Sequence, residues 1–88
     1  MNEITNFIDS LDLEFTPTEE GNGYVIMLDN SDDFSSIYNK LLLNSDLEED
    51  EQKMLEDVSY FTFTDGHYEI IMSANYDTDR YEVRIGER

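Results

Sequence analysis

Apolar positions along this 88-residue chain change period several times, and each change predicts a different element. Ile4, Phe7, Ile8 and Leu11 follow the i, i+3, i+4, i+7 spacing of one buried helix face. Leu13 and Phe15 then alternate with Asp12 and Glu14, which predicts a half-exposed strand. Pro17 and the stretch Thr18-Glu19-Glu20-Gly21-Asn22-Gly23 interrupt it as a loop. The apolar run from Tyr24 to Leu28 predicts its strand partner. Asn30 or Ser31 caps a second helix, with Asp32 and Asp33 in the first turn, where the helix dipole favours negative charge. Phe34, Ile37, Tyr38 and Leu41 form its buried face, Leu42 and Leu43 widen that face, and Asn44 ends it.

Ser45-Asp46-Leu47-Glu48 has the form of a capping box and predicts a third helix, with Leu47, Met54, Leu55 and Val58 as a narrow apolar stripe. Glu51 falls close to that stripe by angle and fits it poorly. Asp65-Gly66 is a two-residue hairpin signal, because a type I′ turn needs positive φ at both positions. That turn pairs Thr64 with His67, Phe63 with Tyr68, Phe61 with Ile70 and Ser59 with Met72. Phe61, Phe63, Tyr68, Ile70 and Met72 then share a core face, opposite Tyr60, Thr62, Glu69 and Ile71. A turn near Tyr76-Asp77-Thr78-Asp79 leads to a last strand with Tyr81, Val83 and Ile85 inward and Arg80, Glu82 and Arg84 outward. The order α-β-β-α-α-β-β-β implies a single α+β domain spanning residues 1–88, a small antiparallel sheet with three short helices packed on one face.

Charge changes the picture from fold to function. Acidic residues number 22 against five basic ones, a formal net charge of -17. Such a chain repels nucleic acid and anionic membranes and attracts basic protein surfaces. The absence of cysteine excludes disulfides and thiolate metal sites and suits a reducing compartment. Met1-Asn2-Glu3-Ile4 shows neither a basic nor a long apolar leader, and no stretch reaches membrane-spanning length, so a cytoplasmic location is expected.

Catalytic and cofactor patterns fail one by one. The sole histidine, His67, follows the hairpin turn, and no serine sits in a nucleophile elbow. Gly21-Asn22-Gly23 lacks the Lys-Ser/Thr and helix start of a phosphate loop. The acidic runs do not fit a calcium loop: counted from Asp29, position six is Phe34 and position twelve is Lys40; from Asp46 they are Glu51 and Asp57. Neither an enzyme nor a resident cofactor or metal is expected.

The acidic excess itself is the candidate element. Solubility of a small domain needs a net charge of about 2 to 8, well below that carried here. A domain of this length spans about 30 Å, and duplex DNA of that length carries about 18 negative charges, a comparable density. The segment 29–57 holds ten acids, Asp29, Asp32, Asp33, Asp46, Glu48, Glu49, Asp50, Glu51, Glu56 and Asp57, against Lys40 and Lys53. On a third helix, Glu49 and Glu56 with their flanking acids would imitate a row of phosphates. These ten residues are the expected contact set for a basic, nucleic-acid-binding protein.

A small, cysteine-free, strongly acidic chain of mixed helix and sheet resembles the phage-encoded DNA mimics, which include anti-CRISPR proteins, anti-restriction proteins and uracil-DNA glycosylase inhibitors. The opening Met1-Asn2-Glu3-Ile4-Thr5-Asn6-Phe7-Ile8 resembles the short first helix of some anti-CRISPR proteins that act on single-effector systems. The resemblance implies an inhibitor that occupies the DNA-binding surface of a defence nuclease such as a CRISPR effector. It rests on size, composition and style, so no site residue is carried over from it. An immunity-type protein that neutralises a nuclease toxin, with Tyr38 or Tyr60 as an aromatic anchor, and a generic acidic interaction domain are the alternatives.

Overall fold

A computed structural model describes residues 3–88, apart from the side chain of Glu51. Met1 and Asn2, quoted in the resemblance above, and the Glu51 carboxylate of the expected contact set lie outside the described residues. Among these residues the chain forms α1 (Glu3–Leu11), β1 (Thr18–Glu20), β2 (Gly23–Leu28), α2 (Ser31–Leu42), β3 (Glu48–Met54), β4 (Val58–Thr64), β5 (Tyr68–Asn75) and β6 (Arg80–Glu87). The six strands make one antiparallel sheet in the order β1-β2-β6-β5-β4-β3.

Strict alternation gives the sheet two unlike faces. Ile26, Phe61, Phe63, Ile70, Met72, Val83 and Ile85 point to one face and are buried there. Both helices cover that face. α1 contributes Ile4, Ile8 and Leu11, and α2 contributes Phe34, Ile37 and Leu41, so the helical spacing becomes the buried stripe. Each such side chain contributes about 1.5–3 kcal/mol by leaving water. Aromatic rings fix the seats of the helices: Phe7 stacks on Tyr68 at 4.8 Å, Phe34 meets Tyr81 at 5.3 Å, and Tyr38 meets Phe61 at 4.9 Å. The other sheet face has no element packed over it among the described residues.

Local chemistry sets the element ends. The Asn30 side chain caps α2 by accepting from the Asp33 N–H at 2.8 Å, and its amide donates back to the Asp33 carboxylate at 2.9 Å. α1 ends on Asp12, whose φ of 53° is the left-handed conformation usual for a helix C′ residue. A carboxylate there opposes the helix dipole. Lys40 answers it, donating to the Asp12 carbonyl and lying 3.7 Å from the Asp12 carboxylate. Gly23 lets β2 approach β6 closely, since a Cβ there would lie 2.5 Å from the Ile85 carbonyl oxygen.

The α+β class and the helix-covered antiparallel sheet are as the sequence predicts, but three details differ. The third helix does not form: residues 48–54 are the edge strand β3, paired with β4 from Glu48↔Thr64 to Met54↔Ser59. β4 is an apolar strand with an unpaired row of backbone groups, and the hairpin closed by the Leu55 N–H to Val58 carbonyl bond at 2.8 Å satisfies them. A helix would have set like charges three and four residues apart, such as Glu48 with Glu51 and Asp46 with Asp50, whereas a strand sends neighbours to opposite faces. The expected stripe is split: Met54 and Leu55 stay exposed, whereas Leu47 is buried in the core ahead of β3 and Val58 is half-buried at the start of β4. Leu13 and Phe15 form no strand; they pack against the core from an irregular segment, and β1 lies instead at Thr18–Glu20, within the expected loop.

The third difference is the β4–β5 register, which is Phe63↔Ile70 and Phe61↔Met72, a shift of two residues from a two-residue turn. Of the two turn positions only Gly66 has positive φ, so a type I′ turn does not form. The Asp65 carboxylate instead accepts from the N–H groups of His67 at 2.9 Å and Tyr68 at 2.8 Å, holding a wider turn. Because the shift is even, the core face of the hairpin is unchanged.

Candidate functional site

The expected contact set does not converge on one spot. Asp29, Asp32 and Asp33 lie where β2 gives way to α2, and Asp33 is engaged by the Asn30 cap. Asp46, Glu48, Glu49 and Asp50 lie at the far end of β3, near the β4–β5 turn. Glu56 and Asp57 occupy the β3–β4 turn, at the same end of the sheet as Asp29. The described members are exposed, except for half-buried Asp33. Glu51 enters only through its backbone register with Thr62, next to a β-bulge that leaves Asp50 unpaired in the ladder.

Two residues outside that set join the separated groups. The β5–β6 turn carries exposed Asp77 and Asp79 and lies between the start of α2 and the β3–β4 turn in sheet order. The Tyr76 N–H donates to the Asp57 carbonyl at 3.0 Å, which ties this turn to its neighbour. The Asn75 side chain accepts from the N–H groups of Asp77 and Thr78 at 3.1 and 3.3 Å and shapes it. Carboxylates therefore run across the sheet end from Asp29, Asp32 and Asp33 through Asp79 and Asp77 to Asp57 and Glu56. From β2 to β3 this rim crosses four strand spacings, about 19 Å. Around the corner, past Met54, Lys53 and Gln52, carboxylates resume at Asp50, Glu49 and Glu48 toward the far end of β3, whose length is about 20 Å. The sequence offered a signal for Asp77 and Asp79 in the Tyr76-Asp77-Thr78-Asp79 turn, but sheet order is what makes them the bridge.

Large apolar side chains stand exposed within the rim. Tyr76 is 56% exposed, Leu55 53% and Met54 67%. Neither anchor expected from the sequence behaves this way. Tyr38 is packed against Phe61 and Phe63 and donates its hydroxyl to Glu49 at 2.9 Å. Burial, reinforced by the Glu49 hydrogen bond and charge, holds that hydroxyl above its usual pKa, so it remains a donor. Tyr60 is half-buried on the opposite, uncovered sheet face.

Four of the five basic residues point away from the rim or are engaged by acids. Lys53, through its register with Tyr60, and Arg84 belong to the uncovered sheet face. Arg84 lies 2.8 Å from Glu82 and 3.5 Å from Glu20, and these partners, Glu82 foremost, raise its pKa further. Arg88 meets Asp50 at 2.6 Å, and Lys40 is held by Asp12. Arg80 alone interrupts the rim, at the start of β6. Among the described residues no group of three or more His, Cys, Asp or Glu side chains draws together as a metal site would require, and no helix is long and apolar enough to cross a membrane. No protein-family model, curated protein or solved structure matches the chain.

Proposed function

We propose that the protein is an acidic inhibitor that occupies the nucleic-acid-binding surface of a basic protein, a defence nuclease of the CRISPR-effector kind. The observation that carries this reading is the carboxylate rim, which crosses the sheet end with Arg80 as an interruption and resumes on β3 at Asp50, Glu49 and Glu48. Along β3, Glu48, Glu49 and Asp50 carry exposed carboxylates on successive residues, which a strand sends to alternate sides, so the edge offers charge toward both faces rather than along helical turns. Association is steered by long-range attraction and weakens as salt rises.

The exposed Tyr76, Leu55 and Met54 favour a second reading, immunity-type binding to a nuclease beside its nucleic-acid site. Apolar anchors ringed by charge are the usual anatomy of a protein–protein hot spot. One experiment separates the two. Tagged protein is used to capture basic nucleic-acid enzymes from a lysate, and each capture is challenged with excess duplex DNA or guide RNA. Displacement by nucleic acid supports mimicry. A complex that survives the challenge overturns mimicry in favour of the anchored mode. The triple variant Glu48→Lys, Glu49→Lys, Asp50→Lys slows association with a mimicked target; unchanged affinity removes β3 from the contact face.

A further inference from the structure

We infer that the uncovered sheet face is the interface of a two-fold dimer of this chain, with the strands of the two copies antiparallel. The face is built to be covered. A hollow of about 340 Å³ lies between Lys53, Leu55, Tyr60, Thr62 and Ile71. Met27, 60% exposed, extends the apolar area to the other side of β6, beside Val25, which is already buried within its own chain. This is also the part of the surface where basic and acidic residues are interspersed, so a second copy meets less repulsion here than at the carboxylate rim.

The charge order along β6 selects the arrangement. Glu82 and Arg84 both point to this face, on either side of inward-pointing Val83. A two-fold axis across the strand at Val83, lying in the plane between the sheets, sets Glu82 of each copy against the partner's Arg84. The same axis sets Ser73 over the partner's Ile71, Tyr60 over the partner's Thr62 and Met27 over the partner's Val25. An axis parallel to the strands would instead oppose Glu82 to the partner's Glu82 and the partner's Arg84 to Arg84, which is repulsive. Aligned sheets pack about 10 Å apart, a distance that long glutamate and arginine side chains bridge from both sides. Five strands about 4.8 Å apart and about 23 Å long project about 550 Å² per copy. Side-chain relief raises the total for two copies into the ~1,200–2,000 Å² range of specific interfaces. The carboxylates of the sheet end, from Asp29 to Glu56, stay outside this interface, so the dimer carries two such ends.

Two copies bring together twice a charge of -17, so salt should tighten the dimer, the opposite of its effect on the proposed basic partner. Failure of one idea is therefore distinguishable from failure of the other. Sedimentation equilibrium of the whole chain, from about 10 to 500 µM in 0.1 and 0.5 M sodium chloride, is expected to show a monomer–dimer equilibrium at least about tenfold tighter at the higher salt. Glu82→Arg alone and Arg84→Glu alone should each weaken self-association about tenfold or more, since each places like charges across the axis. Mixing the two variants should restore a dimer containing one copy of each. A wild-type chain that is monomeric across the whole range overturns the proposal. So does a mixture that associates no better than its components, with circular dichroism confirming that both are folded.

Discussion

Raising salt should stabilise this protein strongly, and the size of the effect can be worked from its dimensions. The radius of gyration is 12.4 Å, that of a uniform sphere of radius about 16 Å. Spreading a charge of -17 over that sphere in water costs about 37 kcal/mol before screening. With a Debye length of about 10 Å at 0.1 M salt the cost falls to about 14 kcal/mol, and with about 3 Å at 1 M to about 6 kcal/mol. An unfolded chain of this length has a radius of gyration of about 29 Å. The same treatment of the unfolded chain gives about 3 and 1 kcal/mol at the two salt concentrations. Folding therefore concentrates charge at a net cost of about 11 kcal/mol at 0.1 M and about 5 kcal/mol at 1 M, a gain in stability of about 6 kcal/mol. Local pairs such as Arg88 with Asp50 weaken as salt rises and offset a small part of this gain. Urea titrations in sodium chloride, which is less strongly excluded from protein surfaces than sulfate, measure the effect as a shift in midpoint at constant slope. A third of the calculated gain would still raise Tm by about 10 °C. A change below about 1 kcal/mol between the two salt concentrations would refute the argument that the acids crowd one another.

Smaller features make sharper tests. Asp12→Gly removes a carboxylate from the C-terminal end of α1 and relieves its left-handed backbone while leaving the carbonyl that Lys40 binds, so it should stabilise by about 1 kcal/mol in urea titration. Gly23→Ala drives a methyl group against the Ile85 carbonyl and should destabilise by about 2 kcal/mol or more; a neutral result would show that β2 and β6 can separate. The backbone bonds that Asp65 accepts, that from Tyr68 foremost, lower its pKa below the ordinary 3.8. Its stabilising contribution is then fully present above the unfolded value and is lost as pH falls through the lower folded one. The wild type should accordingly exceed Asp65→Asn by about 1 kcal/mol near neutrality, reduced from a buried pair by solvent exposure. That difference should close as pH falls through the lowered folded value, and a difference independent of pH would show that the charge on Asp65 contributes nothing.

Where burial imposed a period, the chain could be read directly. Ile4 to Leu11, Phe34 to Leu41 and Tyr81 to Ile85 each gave the right element and the right face, because a buried side must repeat with its own geometry. The β4–β5 hairpin kept its faces through a wrong turn type, since a two-residue slip preserves parity. Legibility failed where nothing is buried. From Glu48 to Lys53 no described side chain enters the core, so local capping signals competed without opposition, and the deciding force was the open edge of β4, which no local pattern in the run displays. The poor fit of Glu51 to a helical stripe was the one visible warning. The acids of the candidate site were legible as a composition but not as a surface. Their continuity depends on the β5–β6 turn lying between α2 and the β3–β4 turn, a consequence of strand order.

That strand order also bears on how the domain assembles. From β3 to β6 each strand pairs with its neighbour in sequence, so these strands can form by successive hairpins. β2 pairs with β6, joining Tyr24 to Ile85 across most of the chain, and that closure carries the largest loop entropy in the sheet. Formation of the meander should therefore precede docking of the segment from α1 to α2. Phe63→Leu in β4 would then slow refolding in stopped-flow measurements, whereas Ile26→Val in β2 would mainly accelerate unfolding. Until β2 docks, β6 is an edge strand with Tyr81, Val83 and Ile85 uncovered, and the repulsion between highly charged copies is what keeps such chains apart during that interval.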